Sequence, residues 1–224
     1  DVVWAANPNV ICVFPGLVYA FVKRCPLVQN VDDLWPEALY DLGISRKSLL
    51  ARLGEFLARI AYNVSSAITP ISPGYVKVIC GKYGVDRGKL HVVRAGVDLS
   101  KFKVNDNLSS SGKEGFRVLY SGAFSMAYDF DQVLLAAEKL EEIGGTEFVL
   151  QGGGELAGYL KARVEELKVR NVKIVDRIVS RDEVAKLLSE ADALILPLRD
   201  FGTPYLGLSS KLYEYKNMRR ITCQ

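Results

Sequence analysis

Residues 191–215, ADALILPLRDFGTPYLGLSSKLYEY, constrain the fold of this chain more than any other stretch. The stretch opens with a short apolar run, residues 193–198, which is typical of a strand buried on both faces. A loop rich in glycine and proline follows, and Ser209 or Ser210 can cap the next helix. Strands buried on both faces occur in parallel sheets covered by helices, so the stretch predicts an α/β fold.

The same stretch has the features of an anion site. Free backbone N–H groups and the positive end of a helix would lie above the end of a strand. Lys211 adds a positive charge at that helix start. The alternative is an ordinary strand-loop-helix segment with serine caps, which is common in α/β domains.

Strands and helices alternate in two series, which predicts two Rossmann-like α/β domains with parallel sheets. The first domain is predicted at residues 1–98, with its last strand at residues 90–93. Residues 99–115 are polar and rich in glycine and serine, and we interpret them as a linker. The second domain is predicted at residues 116–224.

Capping residues predict where several helices begin. A long amphipathic helix is predicted at residues 45–62 with Ser45 as its cap. Ser72 precedes a proline, which favours a helix start because proline at the first helical position sacrifices no hydrogen bond. Ser180 and Glu183 form a capping box, which makes this the firmest of the predicted starts.

Glycines and short loops follow the strands predicted in the second domain. Gly122 follows the first strand, and Gly152 and Gly153 follow the second. Arg177 and Ile178 come directly after the third strand. In a doubly wound sheet these positions converge on the carboxyl edge, where ligands bind. Four such positions at one edge indicate a possible site for a phosphorylated ligand, and the alternative, that the glycines only satisfy turn geometry, stays open.

Composition argues against several functional classes. A net charge of +3 and a pI of about 8.6 are too mild to indicate a nucleic-acid partner. Four cysteines without metal-ligand spacing and a single histidine argue against a zinc site and favour a reducing compartment. The glycine fingerprint of nicotinamide-binding proteins is absent. We therefore expect no metal, no cofactor, no membrane-spanning segment and a cytoplasmic protein.

Seven runs, taken in order, resemble the family 4 glycosyltransferases, and more narrowly the branch that builds bacterial and archaeal surface polysaccharides. The runs are DLWPE (33–37), ITPISPGY (68–75), KLHVVRAGVD (89–98), VLYSGAF (118–124), FVLQGGGE (148–155), ADALILPL (191–198) and SSKLYEY (209–215). The resemblance implies the GT-B arrangement of two Rossmann-like domains, both expected to be incomplete in this chain. It also implies metal-independent sugar transfer, with retention, from a nucleotide-diphosphate sugar, for which uridine diphosphate is expected.

The resemblance further implies donor-binding roles at the carboxyl edge of the second sheet. The residues expected at the diphosphate are Gly122, Ser209, Ser210 and Lys211. The residues expected around the nucleotide and its base are Gly152, Gly153, Arg177 and Ile178. Glu214 is expected to accept hydrogen bonds from the ribose hydroxyls.

The sequence departs from the family at four places: Leu206 replaces a second glutamate, Ala95 replaces an asparagine, and two further departures concern activity directly. Family members often carry a cation just after the first glycine, but no cation appears between Gly122 and Lys139. The histidine often found in the first domain is also missing. A non-catalytic relative that binds nucleotide sugar or partner proteins is therefore the alternative function, and a nucleotide-sugar epimerase of the same architecture is the third.

Asp33 and Glu37 are the candidate catalytic residues of the first domain. They lie in a loop predicted after a strand at residues 26–31, where carboxylates could orient an acceptor hydroxyl or take its proton. The alternative is a turn and a helix cap. For His91, the only histidine, a structural role is favoured.

The expected acceptor is a glycan or a lipid-linked molecule. Arg46, Lys47, Arg52 and Arg59 lie on or near a helix that also carries several leucines, so that helix could touch an anionic membrane surface. Peripheral contact with the inner face of the cell membrane would follow. The alternative is an ordinary half-buried helix, because Glu55 interrupts the positive charge.

Overall fold

A computed structural model describes residues 1–7, 9–41, 43–102, 115–200, 209–218 and 221–223. The chain divides into two compact units, the first at residues 1–95 and the second at residues 96–200 and from residue 209 onwards. Most of the predicted linker, residues 103–114, lies outside the described residues. Each unit contains its own parallel sheet and its own apolar cluster, so the prediction of two Rossmann-like α/β parts is confirmed.

The first unit contains a three-stranded parallel sheet in the order β1-β2-β3. Its strands are β1 (Val3–Asn7), β2 (Leu27–Val31) and β3 (Ala67–Pro70). Its helices are α1 (Val13–Lys23), α2 (Glu37–Asp41), α3 (Leu49–Val64) and α4 (Pro73–Tyr83). Parallel strands need long crossover connections, which α1 and α3 provide between successive strands.

The apolar cluster of the first unit lies between its sheet and its helices. Val31 of β2, Ile68 of β3 and Ile79 of α4 are fully buried in it. The start of α4 is fixed by Ser72, whose side chain accepts a hydrogen bond from the backbone N–H of Tyr75 at 3.2 Å. This helix start agrees with the sequence prediction, including the proline at its first turn.

The second unit contains a five-stranded parallel sheet in the order β6-β5-β4-β7-β8. Its strands are β4 (Phe116–Ala123), β5 (Thr146–Gly153), β6 (Val172–Asp176), β7 (Ala193–Ile195) and β8 (Ile221–Cys223). Its helices are α5 (Phe130–Glu141), α6 (Ala157–Leu167), α7 (Arg181–Glu190) and α8 (Ser210–Asn217).

The strand order of the second unit reverses direction at β4. The chain first adds strands on one side of β4, as β5 and then β6, and afterwards adds β7 and β8 on the other side. Loops that leave such a switch point in opposite directions open a crevice at the carboxyl ends of the strands. The topology therefore locates a ligand crevice between the carboxyl ends of β4 and β7, beyond Ala123 and Ile195.

Two predicted boundaries in the first unit were wrong. The long helix begins at Leu49, with Ser48 rather than Ser45 as its cap, because the Ser48 hydroxyl accepts from the N–H of Ala51 at 3.1 Å. Residues 90–93 form no full strand: Leu90 makes a single parallel bridge to Ile68.

The predicted loop after β2 leads into a short helix, for which the sequence indicated only a possible cap. Helix α2 begins at Glu37, the last residue of the predicted loop. The Glu37 carboxylate accepts hydrogen bonds from the Tyr83 hydroxyl at 2.9 and 3.1 Å and pairs with the Lys82 ammonium at 2.9 Å. These contacts join α2 to the end of α4, so tertiary contacts supply partners that the five-residue helix could not find locally.

Candidate functional site

A cavity of about 370 Å³ lies in the second unit, at the carboxyl ends of β4 and β5. The segment after β6 and the first turns of α7 and α8 complete its walls. The lining residues are Ser121, Gly122, Ala123, Gln151, Gly152, Gly153, Ile178, Val179, Arg181, Val184, Ser210, Lys211 and Glu214. The cavity therefore shares the end of β4 with the crevice that the strand order creates, and it extends along the carboxyl edge towards β6.

Two glycines form the floor of the cavity because no larger residue fits there. Gly122 and Gly152 are register partners on β4 and β5, with φ angles of 153° and 156°. A Cβ atom on Gly152 would overlap the carbonyl oxygen of Gly122. A Cβ atom on Gly122 would overlap the Lys211 side chain. The floor thus consists of bare backbone, which allows a bound group to approach the main chain closely.

Lys211 supplies a positive charge over this floor. It lies in the first turn of α8, and its ammonium donates a hydrogen bond to the Tyr128 hydroxyl at 2.9 Å. Tyr128 is buried within an aromatic group formed with Tyr120, Phe124 and Phe130. Its hydroxyl therefore gives the flexible lysine a fixed partner next to Gly122.

Glu214 lies one turn after the first residue of α8 and adds a negative charge to the cavity wall. Its carboxylate is only 10% exposed and accepts a hydrogen bond from Arg181, at the start of α7, at 2.7 Å. The Arg181 side chain is 62% exposed, and its guanidinium lies 5.2 Å from the ring centre of Phe102. The cavity thus combines two cations with one carboxylate, a set suited to a ligand that carries both phosphate and hydroxyl groups.

A chain of buried polar contacts connects the elements beneath the cavity. The Ser121 hydroxyl donates to the side-chain oxygen of Gln151 at 2.6 Å, and the Gln151 amide donates to the carbonyl oxygen of Arg177 at 2.6 Å. On the other side, the N–H of Ser121 donates to the Tyr215 hydroxyl at 3.3 Å. These contacts join β4, β5, the segment after β6 and α8, and they set the mutual positions of the cavity walls.

The structure brings most of the predicted donor-site residues together. Those lining the cavity are Gly122, Gly152, Gly153, Ile178, Ser210, Lys211 and Glu214. Arg177 and Ser209 flank it without lining it. The Arg177 side chain pairs with Glu183, the residue predicted to complete a capping box, while Ser180 alone caps α7. The prediction that these residues bind a nucleotide sugar stays a prediction.

The candidate catalytic residues belong to the first unit and differ in their surroundings. Asp33 lies at the surface, and partial burial together with the charge of Asp32 raises its pKa above the usual value. An aspartate with a raised pKa holds a proton at higher pH than an ordinary one, which suits proton transfer. Glu37 instead has its carboxylate engaged by Lys82 and Tyr83, which gives it a structural role between helices.

Sequence reasoning missed Arg181, Gln151 and Ser121. The register of β4 and β5 pairs Ser121 with Gln151, so the two side chains lie on the same face. Both residues directly precede the glycines that the sequence marked, and that shared position was the available signal. Arg181 had a weaker signal, namely its place directly after the Ser180 cap at the carboxyl edge.

Two searches of the described residues complete the description of possible sites. No group of three or more histidine, cysteine, aspartate or glutamate side chains within the described ranges could hold a metal ion. None of the helices in that same part of the chain is long and apolar enough to cross a bilayer.

Comparison with known proteins relates the chain to sugar-transferring enzymes. Residues 103–215, about half of the chain, match the family model described as glycosyl transferases group 1. An uncharacterized glycosyltransferase of Methanocaldococcus jannaschii is 24% identical over 195 residues, which is 82% of this chain and 48% of the archaeal protein.

Solved structures share the fold at low sequence identity. HepE of Anabaena, solved in complex with UDP and glucose, superposes with a TM-score of 0.70 at 16% identity, over 99% of this chain and 58% of that protein. WaaG, a glycosyltransferase involved in lipopolysaccharide biosynthesis, superposes with a TM-score of 0.71 at 14% identity, over 96% of this chain and 65% of WaaG. The chain thus spans about half the length of the relatives it matches.

Proposed function

This chain belongs to the group 1 glycosyl transferase family, and from that premise we propose that it transfers a sugar from a nucleotide-diphosphate sugar to an acceptor. The observation that carries the proposal is the cavity of the second unit, whose bare glycine floor lies beneath Lys211. Backbone that can be approached closely, a helix start and a cation are the features that bind a diphosphate. UDP is the expected nucleotide, in keeping with the UDP bound to HepE.

Different residues of the cavity would bind the diphosphate, the ribose and the base of the donor. Lys211 and the N-terminal turn of α8 would hold the diphosphate over Gly122 and Gly152. Glu214 would accept hydrogen bonds from the ribose hydroxyls. The exposed side chain of Ile178 would lie against the base. No metal enters this scheme, because the charge of the departing diphosphate would be met by side chains and backbone N–H groups.

The Lys211 side chain supplies the positive charge that is missing from the loop after Gly122. Residues 123–129 are all uncharged except Asp129, yet the Lys211 ammonium occupies the space directly beside Gly122. Arg181, on the opposite wall, adds a second positive charge. Charge on the leaving diphosphate can therefore be stabilised from α8 and α7 rather than from the loop after β4, which favours the transferase over the non-catalytic alternative.

The acceptor side of the proposal concerns the first unit. We infer a glycan or lipid-linked acceptor, in line with the lipopolysaccharide pathway in which WaaG acts. Leu49, Leu50, Leu53 and Phe56 form an exposed apolar stripe on α3. Arg46, Lys47 and Arg52 are exposed nearby. An apolar stripe beside cations suits peripheral binding to an anionic lipid surface.

Glu55 does not oppose that binding as strongly as its charge suggests. Its carboxylate pairs with the Lys82 ammonium at 2.5 Å and accepts a hydrogen bond from the Tyr40 hydroxyl at 2.8 Å. The hydrogen bond from Lys82, with further contributions from Tyr40 and nearby positive charges, lowers the pKa of Glu55 despite partial burial. Its negative charge is therefore compensated within the protein rather than presented to a membrane.

The deciding experiment measures donor hydrolysis and sugar transfer by the full-length protein across a panel of nucleotide sugars. Transfer from a UDP-sugar supports the proposal. Lys211→Met is the matched variant, because methionine keeps the length of the side chain beside Gly122 while removing its charge. We expect this variant to lose turnover by about a hundredfold or more, the usual loss for one charged donor to a transition state.

Three other outcomes would point elsewhere. Binding of nucleotide sugars without turnover across the whole panel would favour the non-catalytic relative. Interconversion of the donor's sugar without transfer to an acceptor would favour the epimerase. Normal turnover by Lys211→Met would remove Lys211 from the diphosphate site.

A further inference from the structure

Gln151 lines the cavity, and none of the proposed contacts with the donor uses its side chain. It is 3% exposed, at the end of β5, and both ends of its side-chain amide are bonded. The carbonyl oxygen of Arg177 can only accept, so the amide nitrogen must face it and the amide oxygen must face the Ser121 hydroxyl. The two contacts therefore fix a single orientation of the Gln151 side chain.

That orientation anchors one wall of the cavity. The N–H of Arg177 donates to the carbonyl oxygen of Gly152 at 2.7 Å, while its carbonyl oxygen accepts from Gln151. Both backbone polar groups of Arg177 are thus tied to β5. The next residues, Ile178 and Val179, line the cavity, and the Ile178 side chain is 89% exposed. The position of this open wall therefore depends on the length and donor of the Gln151 side chain.

The anchored wall lies away from the diphosphate end of the cavity. Arg177 follows β6, whereas Gly122 and the Lys211 ammonium lie at β4. The two strands are separated by β5, which places them about 10 Å apart at the usual strand spacing. A change that moves the Arg177 wall should therefore alter contacts with a group bound there and leave the Lys211 end largely in place.

We propose that Gln151 is a positioning residue that sets which nucleobase the cavity accepts, by holding the Arg177–Val179 wall through its amide. The inference rests on the proposed function, since it needs a nucleoside diphosphate in the cavity. A base is recognised by hydrogen bonds and close packing along its edge, so displacement of the wall lowers affinity for the correct base more than for others.

The test compares the binding of UDP, CDP, GDP, ADP and inorganic pyrophosphate by calorimetry, using the full-length protein. Gln151→Met keeps the side-chain length and burial but removes the donor to Arg177. We expect it to bind the preferred nucleoside diphosphate about tenfold more weakly, a change of about 1.4 kcal/mol. We expect affinity for pyrophosphate to change by about twofold at most, because separated sites behave almost independently. The difference in affinity between the preferred nucleoside diphosphate and the other three should therefore become smaller.

Phe148→Leu is the control. It loosens the apolar core near the start of β5, outside the cavity lining, and leaves both hydrogen bonds of Gln151 in place. We expect it to keep the base preference of the wild type. Equal loss of preference in both variants would mean that any loosening of the second unit has this effect, and the inference would be wrong.

Gln151→Glu provides a test within a single protein. A protonated carboxyl can still donate to the Arg177 carbonyl, whereas an ionised one presents only acceptors to it. Burial raises the pKa of such a carboxyl, so protonation should occur in an accessible range. The base preference of this variant should recover as the pH falls, while that of the wild type stays constant. This comparison remains decisive if Gln151→Met fails to fold.

The two proposals fail in distinguishable ways. If the wild type binds none of the nucleoside diphosphates, the proposed function is wrong. If the wild type binds them without a base preference, or if Gln151→Met retains that preference, only the inference about Gln151 is overturned. A base preference in Gln151→Glu that does not change with pH overturns it as well.

Discussion

Glu214→Gln tests the ribose contact proposed for the cavity. The substitution keeps the shape of the side chain and removes its charge. The Glu214 carboxylate is 10% exposed, so a hydroxyl bonded to it would be largely screened from water. A hydrogen bond to a charged group is worth about 1.5–3 kcal/mol, and 1.4 kcal/mol corresponds to a factor of ten. UDP should therefore bind the variant about ten- to a hundredfold more weakly.

The contact between Glu214 and Arg181 contributes little to this expectation. The Arg181 side chain is 62% exposed, and ion pairs with such exposure contribute about 0–1 kcal/mol to stability. The thermal unfolding midpoint of Glu214→Gln should therefore stay close to that of the wild type. A large drop in the midpoint would indicate that the carboxylate mainly holds α7 against α8.

Calorimetry with two ligands separates the ribose contact from an indirect effect. The loss should be seen with UDP and should nearly disappear with a 2′,3′-dideoxy analogue, which lacks the hydroxyls. Arg181→Gln removes the ion pair and keeps the carboxylate, but it also removes a positive charge from the cavity wall. This variant should therefore weaken the binding of UDP and of the dideoxy analogue by the same factor. The reasoning is refuted if Glu214→Gln binds UDP as the wild type does with its fold intact, or if its loss of affinity is as large for the dideoxy analogue as for UDP.

Three further predictions concern the floor, the lysine and the membrane. Gly153→Ala should fold normally, because its Cβ would meet only Ile178 at 3.5 Å and Asp176 at 3.7 Å, but it should weaken UDP binding. Gly152→Ala should instead lower the thermal unfolding midpoint, because its Cβ would overlap the carbonyl oxygen of Gly122. Tyr128→Phe removes the partner of the lysine ammonium, and steady-state kinetics should show a lower kcat with little change in KM. The protein should sediment with anionic vesicles in preference to neutral ones, and Phe56→Ser should weaken this without lowering stability, because that side chain is 59% exposed. Added salt should also weaken the binding to anionic vesicles, since charges are screened within about 8–10 Å at ordinary ionic strength. Equal sedimentation with anionic and neutral vesicles would contradict the membrane prediction.

Features fixed by neighbouring residues were predictable from the sequence. The start of α4 at Ser72-Pro73 and the start of α7 at Ser180 were predicted at the residues where they occur. Capping depends on a side chain and a backbone N–H only a few positions apart, so the sequence contains the whole interaction. The helix expected after Ser209 or Ser210 begins at Ser210, as α8, although the Ser209 side chain forms no capping hydrogen bond.

Features that depend on distant residues were not predictable. Ser45 and Ser48 are both suited to cap a helix, but the Ser45 hydroxyl accepts from the N–H of Lys47 in a turn, whereas Ser48 caps α3. Residues 90–93 have the composition of a strand, but only Leu90 forms a bridge. Helix α2 depends on Lys82 and Tyr83, which lie far along the chain from Glu37.

In the candidate site, too, the features fixed by neighbouring residues were predictable and those fixed by distant residues were not. Its glycines and helix start were visible because backbone geometry restricts which residues can stand there. The orientation of Gln151 required knowledge of the strand register, which pairs β4 with β5. The contact between Arg181 and Glu214 required knowledge of how the two helices pack.

The backbone conformation of Gly122 has a consequence for how this cavity can change during evolution. The methylene groups of the lysine occupy the volume that any side chain at position 122 would need. Alanine at 122 would displace only the flexible end of the lysine, but the φ of 153° strains any side chain at that position whatever residue stands at 211. A shorter side chain at 211 should therefore not rescue alanine at 122. Position 122 should accept few residues other than glycine in a library that varies both positions, while position 211 varies independently of it.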